Sequence, residues 1–147
     1  MTSITTTRPA DATFVVYDEP RWETQATVWT GIPGAKVPLN LGGDTAVYRA
    51  IFVATFSAEA LAEGTNGLGC ATVFFGNTAA EPVSDNHRYV TTRSNPEWSS
   101  HTFVRTIKFD TAFDLRDVTA EVRVKVVGAD TKLGIQNWVL KVERFNY

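Results

Sequence analysis

One cysteine, one methionine and no long apolar run distinguish this 147-residue chain first by what it withholds. Cys70 alone cannot form an internal disulfide, so packing and hydrogen bonds must hold the fold. It lies in the run LGCATVFF and reads as a small buried filler. No span approaches the roughly 20 apolar residues of a membrane helix. Fourteen basic residues against sixteen acidic ones give a formal net charge of −2, with no run of either sign. That leaves out a polybasic membrane anchor and the basic stripe on which nucleic-acid binding depends. Neither nucleic acid nor membrane insertion is therefore expected. The opening MTSITTTRPADATF lacks the basic start and the apolar stretch of about 7–15 residues that mark a secretory leader. As written, the chain is expected in the cytoplasm or released by a non-classical route.

Enzyme signatures are scarce too. GTNGLG, at residues 64 to 69, has the wrong glycine order for a dinucleotide loop and precedes a strand-like run. No phosphate loop, nucleophile elbow or zinc-protease motif is present. His87 and His101 stand fourteen positions apart, far from Cys70, and do not make a structural zinc site. With Asp85 they could hold a catalytic metal only in a geometry that spacing does not supply. No catalytic residue and no cofactor are expected. Glu97, Asp110, Asp114 and Asp117 sit near chain reversals, as solvated or capping groups or, two together, as ligands of a Ca²⁺ ion.

What the chain does have is aromatics, at 12%, and hydrophobic residues at 44%. Period-2 patterning dominates after residue 11. In TAEVRVKVVG, Val122, Val124 and Val126 face one way and Glu121, Arg123 and Lys125 the other, a strand with one buried and one wet face. NWVLKVERF repeats this with Trp138, Leu140 and Val142 inward. HTFVRTIKF sets Phe103, Ile107 and Phe109 on one face. AVYRAIFVATF is apolar on both faces, as in a central strand or one half-covered by a neighbouring subunit. Further candidates begin at Thr13, Thr24, Ala35, Cys70 and His87, the third demoted to an edge by Pro38. Only SAEALAEG resembles a helix, one or two turns between Ser57 and Gly64. Turns are expected at Pro33-Gly34, Gly42-Gly43-Asp44, Asn66-Gly67, Gly76-Asn77, Asn95-Pro96 and Gly128-Ala129-Asp130.

About nine short strands with at most one helical turn predict an all-β, two-sheet sandwich of the jelly-roll type. Residues 1 to 11, rich in Thr and Ser, would be a mobile or edge-forming arm, and residues 12 to 147 one domain.

Residues 85 to 101 concentrate polar and aromatic side chains. A strand of about 6 residues spans about 20 Å, which separates this cluster into two ends of the sandwich. Arg93, Asn95, Glu97 and Trp98 fall at one end, and Asp85, Asn86, His87 and Arg88 at the other. Such a mixture suits a sugar, whose C–H face stacks on an aromatic ring while amides, carboxylates and guanidinium groups take the hydroxyls. Trp98 is either such a platform or a plug over the sandwich end. Trp138 is core, and Trp22, in a polar stretch after Pro20-Arg21, is a second platform candidate.

From residue 46 to 145, the succession AVYRAIFVATFS, GCATVFFGN, EWSSHTFVRTIKF, VTAEVRVKVVG and LGIQNWVLKVERF resembles the galactose-binding-like jelly rolls of carbohydrate-binding modules and lectins. Trp98 and Thr102, then Gly134, Asn137, Trp138 and Leu140, carry the likeness. It implies sugar binding at one end or edge, with Trp98 stacking and Asn137 hydrogen-bonding, and often a structural Ca²⁺.

The expectation is thus a non-catalytic, lectin-like glycan binder, using Trp98, Asn95, Glu97, Arg93, Asn137 and Trp22. Weak single sites would make it a homo-oligomer. The rival is a structural jelly roll of a capsid, fibre or particle, with an ordered N-terminal arm and an interface of about 2,000 Å² or more. A third reading, an enzyme with His87 or His101 as general base, stands behind both.

Overall fold

A computed structural model describes residues 9–40, 46–47, 49–64, 67–83, 88–90, 97–111, 113–128 and 130–147. The strands in chain order are β1 (Ala12–Asp18), β2 (Trp22–Thr24), β3 (Thr30–Pro38), β4 (Ala46–Val47), β5 (Ala50–Glu63) and β6 (Leu68–Phe75). They continue as β7 (Thr78–Ala79), β8 (Arg88–Val90), β9 (Ser99–Phe109), β10 (Phe113–Asp114), β11 (Thr119–Val127) and β12 (Lys132–Asn146). One 3-10 turn, Leu115–Asp117, is the only helical element among the described residues.

Sheet A runs β1-β12-β5-β9, with β2 also on β12. Sheet B runs β3-β11-β6-β7, with β8 also on β6, and β10 pairs with β4. Every described pairing is antiparallel. Number the successive long strands β1, β3, β5, β6, the β7–β8 pair, β9, β11 and β12 from one to eight. The sheets then read 1-8-3-6 and 2-7-4-5, the interleaved order of a jelly roll.

Alternation builds the core between the sheets. In sheet A, cross-strand rows run Val16–Leu140–Phe56–Phe103 and Phe14–Val142–Ala54–Arg105. Sheet B answers with Val122, Val124 and Val126, with Ala71, Val73 and Phe75, and with Ile32 and Val37, all buried, and Leu39 just past β3 is buried with them. Phe52 joins the layers: its ring centroid lies 5.5 Å from Phe75 of sheet B and 5.8 Å from Phe109. Phe56 packs on Phe103 at 5.5 Å and on Trp138 at 6.3 Å, so Trp138 is core as its alternation predicts.

Three local expectations are corrected. Residues 57 to 64 do not coil; β5 continues through them to Glu63. Ala58, Ala60 and Ala62 bury one face at period 2, and both strand edges bond to β12 and β9. The helix propensity of Ala, Glu and Leu is lost to that pairing, because one isolated turn is not stable alone. The strand expected from Thr24 stops there, and β3 begins only at Thr30. Pro33-Gly34 is no chain reversal: it lies inside β3, where Gly34 has φ +81° and the register against β11 shifts. A bulge absorbs the two turn-forming residues. Pro38 does end an edge strand, β3.

Residues 1 to 8 of the expected arm lie outside the described residues. Asp11 is held to β12, its amide donating to the Arg144 carbonyl at 2.8 Å and its carboxylate accepting from the Asn146 amide at 2.7 Å.

Candidate functional site

The outward face of sheet A carries Trp98 and Asn137, and its composition follows from strand parity. Leu133 and Ile135 of β12 point into the core, so Gly134 between them faces out. A side chain there would meet the ring of Trp98, its Cη2 only 3.1 Å from an ideal Cβ, and the Nε of Arg21 at 3.7 Å. Gly134 therefore opens a notch in the sheet surface that Trp98 fills. Leu61, the β5 partner of Gly134, is buried although it also faces outward. Trp98 is half-buried, and the Arg21 guanidinium stands 5.0 Å from its ring centroid, a cation–π contact. Arg21 also pairs with Glu23 and, at 3.6 Å, with Glu63. Lys132 closes the ring of charges, at 3.5 Å from Glu23 and 3.7 Å from Glu63.

Trp98 is thus neither a plug over the end of the core nor a ring standing clear of the molecule. It lies on the sheet, one part against Gly134 and one beside Arg21. Glu97, next to it, is exposed. Arg93 and Asn95 lie outside the described residues, as do Asp85, Asn86 and His87. Trp22 does not join Trp98: it pairs with Ile135, shares its inward parity and packs against the core.

Asn137 stands at a bulge in β12, with φ +47°, where the register against β5 shifts between Gln136 and Val139. Its Nδ2 donates to Glu59 Oε2 at 3.0 Å, beside Gln136 Nε2 at 2.8 Å, and its backbone amide donates to the Glu19 carbonyl at 3.2 Å. The donors from Gln136 and then Asn137 hold the Glu59 carboxyl below its ordinary value. In this structure the side chain expected to meet a hydroxyl holds a strand irregularity together.

Beyond the bulge, the same face turns apolar. Tyr17, Val139, Ser57 and Thr102 form one cross-strand row, and Val15, Lys141, Thr55 and Val104 the next. Tyr17 is 71% exposed, Val15 54%, Val104 48% and Val139 41%. Thr102 Oγ1 donates to Ser57 Oγ at 2.9 Å, and Lys141 pairs with Glu143 of the following row. Flat β-branched and hydroxyl side chains dominate.

Sheet B covers its own outer face instead. Phe74 and Trp29 meet edge-on at 5.8 Å, Arg123 lies 4.5 Å from the Phe74 ring centroid and Lys125 lies 4.6 Å from that of Trp29. Beneath this layer Cys70 and Thr72 are buried despite pointing outward. Cys70 is a filler, as expected, but of an outer layer and not of the core.

The other candidate groups are apart. His101, on β9, shares a 2.7 Å hydrogen bond with the Ser99 hydroxyl. Asp110 accepts from the Tyr147 hydroxyl at 2.5 Å and pairs with Lys108 at 3.2 Å, and these contacts, Tyr147 first, hold its carboxyl low. Asp114 lies in β10 and Asp117 in the 3-10 turn. Among the described residues no three His, Cys, Asp or Glu side chains come together to hold a metal ion. No described helix is long and apolar enough to cross a membrane.

Two buried residues escape a reading of the sequence by residue type. Arg105 and Arg144 are both buried, in phase with the apolar positions of β9 and β12. Their parity with Phe103 and Ile107, and with Leu140 and Val142, is the signal that identifies them.

Comparison with protein-family models and with curated proteins gives no match. Among solved structures, a chain from infectious bursal disease virus, Gx strain, is 9% identical over 92% of this chain and 36% of its own length, at a TM-score of 0.41. The VP2 subviral particle of that virus gives 10% identity, 91% and 33% coverage and a TM-score of 0.41. A Bacillus endospore appendage pilus protein gives 14% identity, 98% coverage of both chains and a TM-score of 0.34. The chain thus spans about a third of the two viral chains. The fold assignment rests on the strand order itself.

Proposed function

We propose that this chain is a structural building block, a jelly roll that works by associating with other copies of itself through the outer face of sheet A. The observation that carries this reading is the pair of exposed rows built on Tyr17–Val139 and Val15–Val104. Isolated surface valines need no explanation. Tyr17, Val15 and Val139, however, are exposed side by side on β1 and β12, with Val104 at the far end of the second row. Such a grouping on a flat, hydroxyl-rich sheet face marks an interaction surface. A second sheet would seat on it at about 10 Å, side chains interdigitating as they do inside the sandwich. The contrast with sheet B supports the choice of face, since there Trp29, Phe74, Arg123 and Lys125 supply the cover from within the chain. A face that meets a copy of itself must be self-complementary, and the Lys141–Glu143 pair at 3.5 Å offers both signs of charge within it.

Glycan binding is the rival reading, and it rests on Trp98 and Asn137. Both spend contacts within the molecule, on Gly134 and Arg21 and on Glu59. Light-scattering mass across a concentration series, together with a glycan array, separates the two. Self-association without glycan capture supports the building block. A monomer at every concentration that captures glycans, and loses them on Trp98→Ala, puts the lectin first.

A further inference from the structure

A sheet ends in edge strands whose backbone groups can pair with another chain, and stable proteins blunt those edges. Sheets A and B have such edges at β1, β9, β3 and the β7–β8 side of β6, and all but one are blunted. β3 has Lys36, Pro33 and Pro38 and the bulge at Gly34. Across sheet B, β7 and β8 are short, with 2 and 3 residues. On β9, Glu81 takes both backbone groups of Thr106, and Arg105 Nη1 takes the Val104 carbonyl at 3.1 Å. β1 is the 7-residue run ATFVVYD, with no Pro, Gly, Lys or Arg.

Which groups of β1 stand free follows from β12. The Arg144 carbonyl accepts from the Asp11 amide, and the Asn146 amide donates to the Asp11 carboxylate. The even-numbered residues of this part of β12 thus direct their backbone groups toward β1. The Tyr147 amide, just past β12, donates instead to the Arg49 carbonyl, on the β5 side. Direction alternates along a strand, so Phe14 and Val16 bond to their partners Val142 and Leu140. Thr13, Val15 and Tyr17 therefore turn their N–H and C=O groups to the open edge, where they have no backbone partner among the described residues. β3, the facing edge of sheet B, does not pair with β1. The side chains of the same three residues are exposed on the outer face.

We propose that β1 pairs antiparallel with β1 of a second copy, about a two-fold axis through Val15. That register overlaps the whole strand. Thr13 then lies opposite the partner's Tyr17 and Val15 opposite the partner's Val15, with about six backbone hydrogen bonds between the copies. These outward pairs, β-branched on β-branched and β-branched on aromatic, are ones that cross-strand packing favours. Phe14 lies beside the partner's Val16 on the inward side. Asp18, the one charged residue of the strand, falls opposite the partner's Ala12. Pairing joins the two copies of sheet A into one, and the exposed rows on Tyr17 and Val15 run on across the axis. The identity of the partner, a copy of this chain, rests on the building-block reading, and the edge adds a contact that the face does not supply.

Amide hydrogen exchange over a concentration series tests this on the wild type, Val15→Pro and Val139→Lys. Phe14 and Val16, bonded to β12, should be protected at every concentration. Thr13, Val15 and Tyr17 should exchange freely when dilute and about tenfold more slowly once the copies pair. Val15→Pro suits an edge strand, since only the outward N–H is lost. It should abolish the slowing at Thr13 and Tyr17 while Phe14 and Val16 stay protected. Val139→Lys charges the face and leaves the edge intact, so it should keep the slowing. Tyr17→Lys would blunt edge and face together and separates nothing. If the three edge amides exchange at one rate at every concentration, the edge does not pair and the proposal fails, whether or not copies meet by their faces. If Val15→Pro keeps the slowing, or Val139→Lys loses it, something other than a paired strand covers these amides and the proposal fails equally. Slowing in a wild type whose mass stops at the dimer, and in Val139→Lys alike, sustains the edge and removes the face reading.

Discussion

The ring of Trp98 occupies the space that a side chain on Gly134 would need, Cη2 lying 3.1 Å from where that Cβ would stand. Three segments distant in sequence meet there: the residue just before β9, the start of β12 and, through Arg21, the entry to β2. The glycine is a shape requirement of the tryptophan.

Gly134→Val should therefore expel the ring. The expected cost is about 1–3 kcal/mol, from overpacking. Tryptophan emission should move to the red as Trp98 becomes more hydrated. Trp98→Ala should cost about 1–2 kcal/mol, through apolar cover lost from the sheet surface. The double variant should be less destabilised than the sum of the two by about 1 kcal/mol, since the valine then has room. Strict additivity in urea melts would mean that the two residues do not compete for one space.

Phe56 touches both Phe103 and Trp138 and is fully buried. Phe56→Ala should cost about 3–5 kcal/mol, by lost transfer energy and a residual cavity. That corresponds to a fall in Tm of about 10 °C or more. A drop of only a degree or two would show that Phe56 does not sit in a tightly packed core.

The clasp at the β12 bulge gives a pH dependence. Glu59 is held below its ordinary pKa by Gln136 and then Asn137, so it titrates lower in the folded chain than in the unfolded one. Its contribution is present above the ordinary glutamate range and is lost as the pH falls through the folded value. The difference in stability between wild type and Glu59→Gln should shrink on acidification through that window, measured by urea melts at a series of pH values. A constant difference across the window would mean that the clasp does not discriminate between the two protonation states.

Most of the architecture is legible because alternation alone fixes which residues of β9, β11 and β12 face inward. The misread parts have physical causes. Residues 57 to 64 are good helix formers, and only the flanking β9 and β12, far away in sequence, make them a strand. Pro33-Gly34 carries turn chemistry that a bulge uses equally well. The site was less legible than the fold. A tryptophan after a proline in a polar stretch says nothing of Gly134, 36 positions on, whose missing side chain accommodates it. Trp22 reads as polar-loop aromatic until its pairing with Ile135 turns it inward. Tyr17 and Val15 are apolar and out of phase with Phe14 and Val16, a pattern that does not say which face is covered. Their exposure follows from the outer face of sheet A being left open there, as it is for Val139 on the inner strand β12, and local sequence does not encode that.

The outer face of sheet A is where copies of the chain should meet. Sedimentation velocity over a wide concentration range, on the wild type and on Tyr17→Lys combined with Val139→Lys, tests it most directly. Both positions are exposed cross-strand partners, so the lysines should cost about 1 kcal/mol or less and leave the chain folded, while placing two charges within the surface. The wild type should sediment as a growing fraction of oligomer, and the double variant as a monomer throughout. A wild type that stays monomeric, or a variant that assembles as well as the wild type, would contradict the proposal that this face is where copies meet.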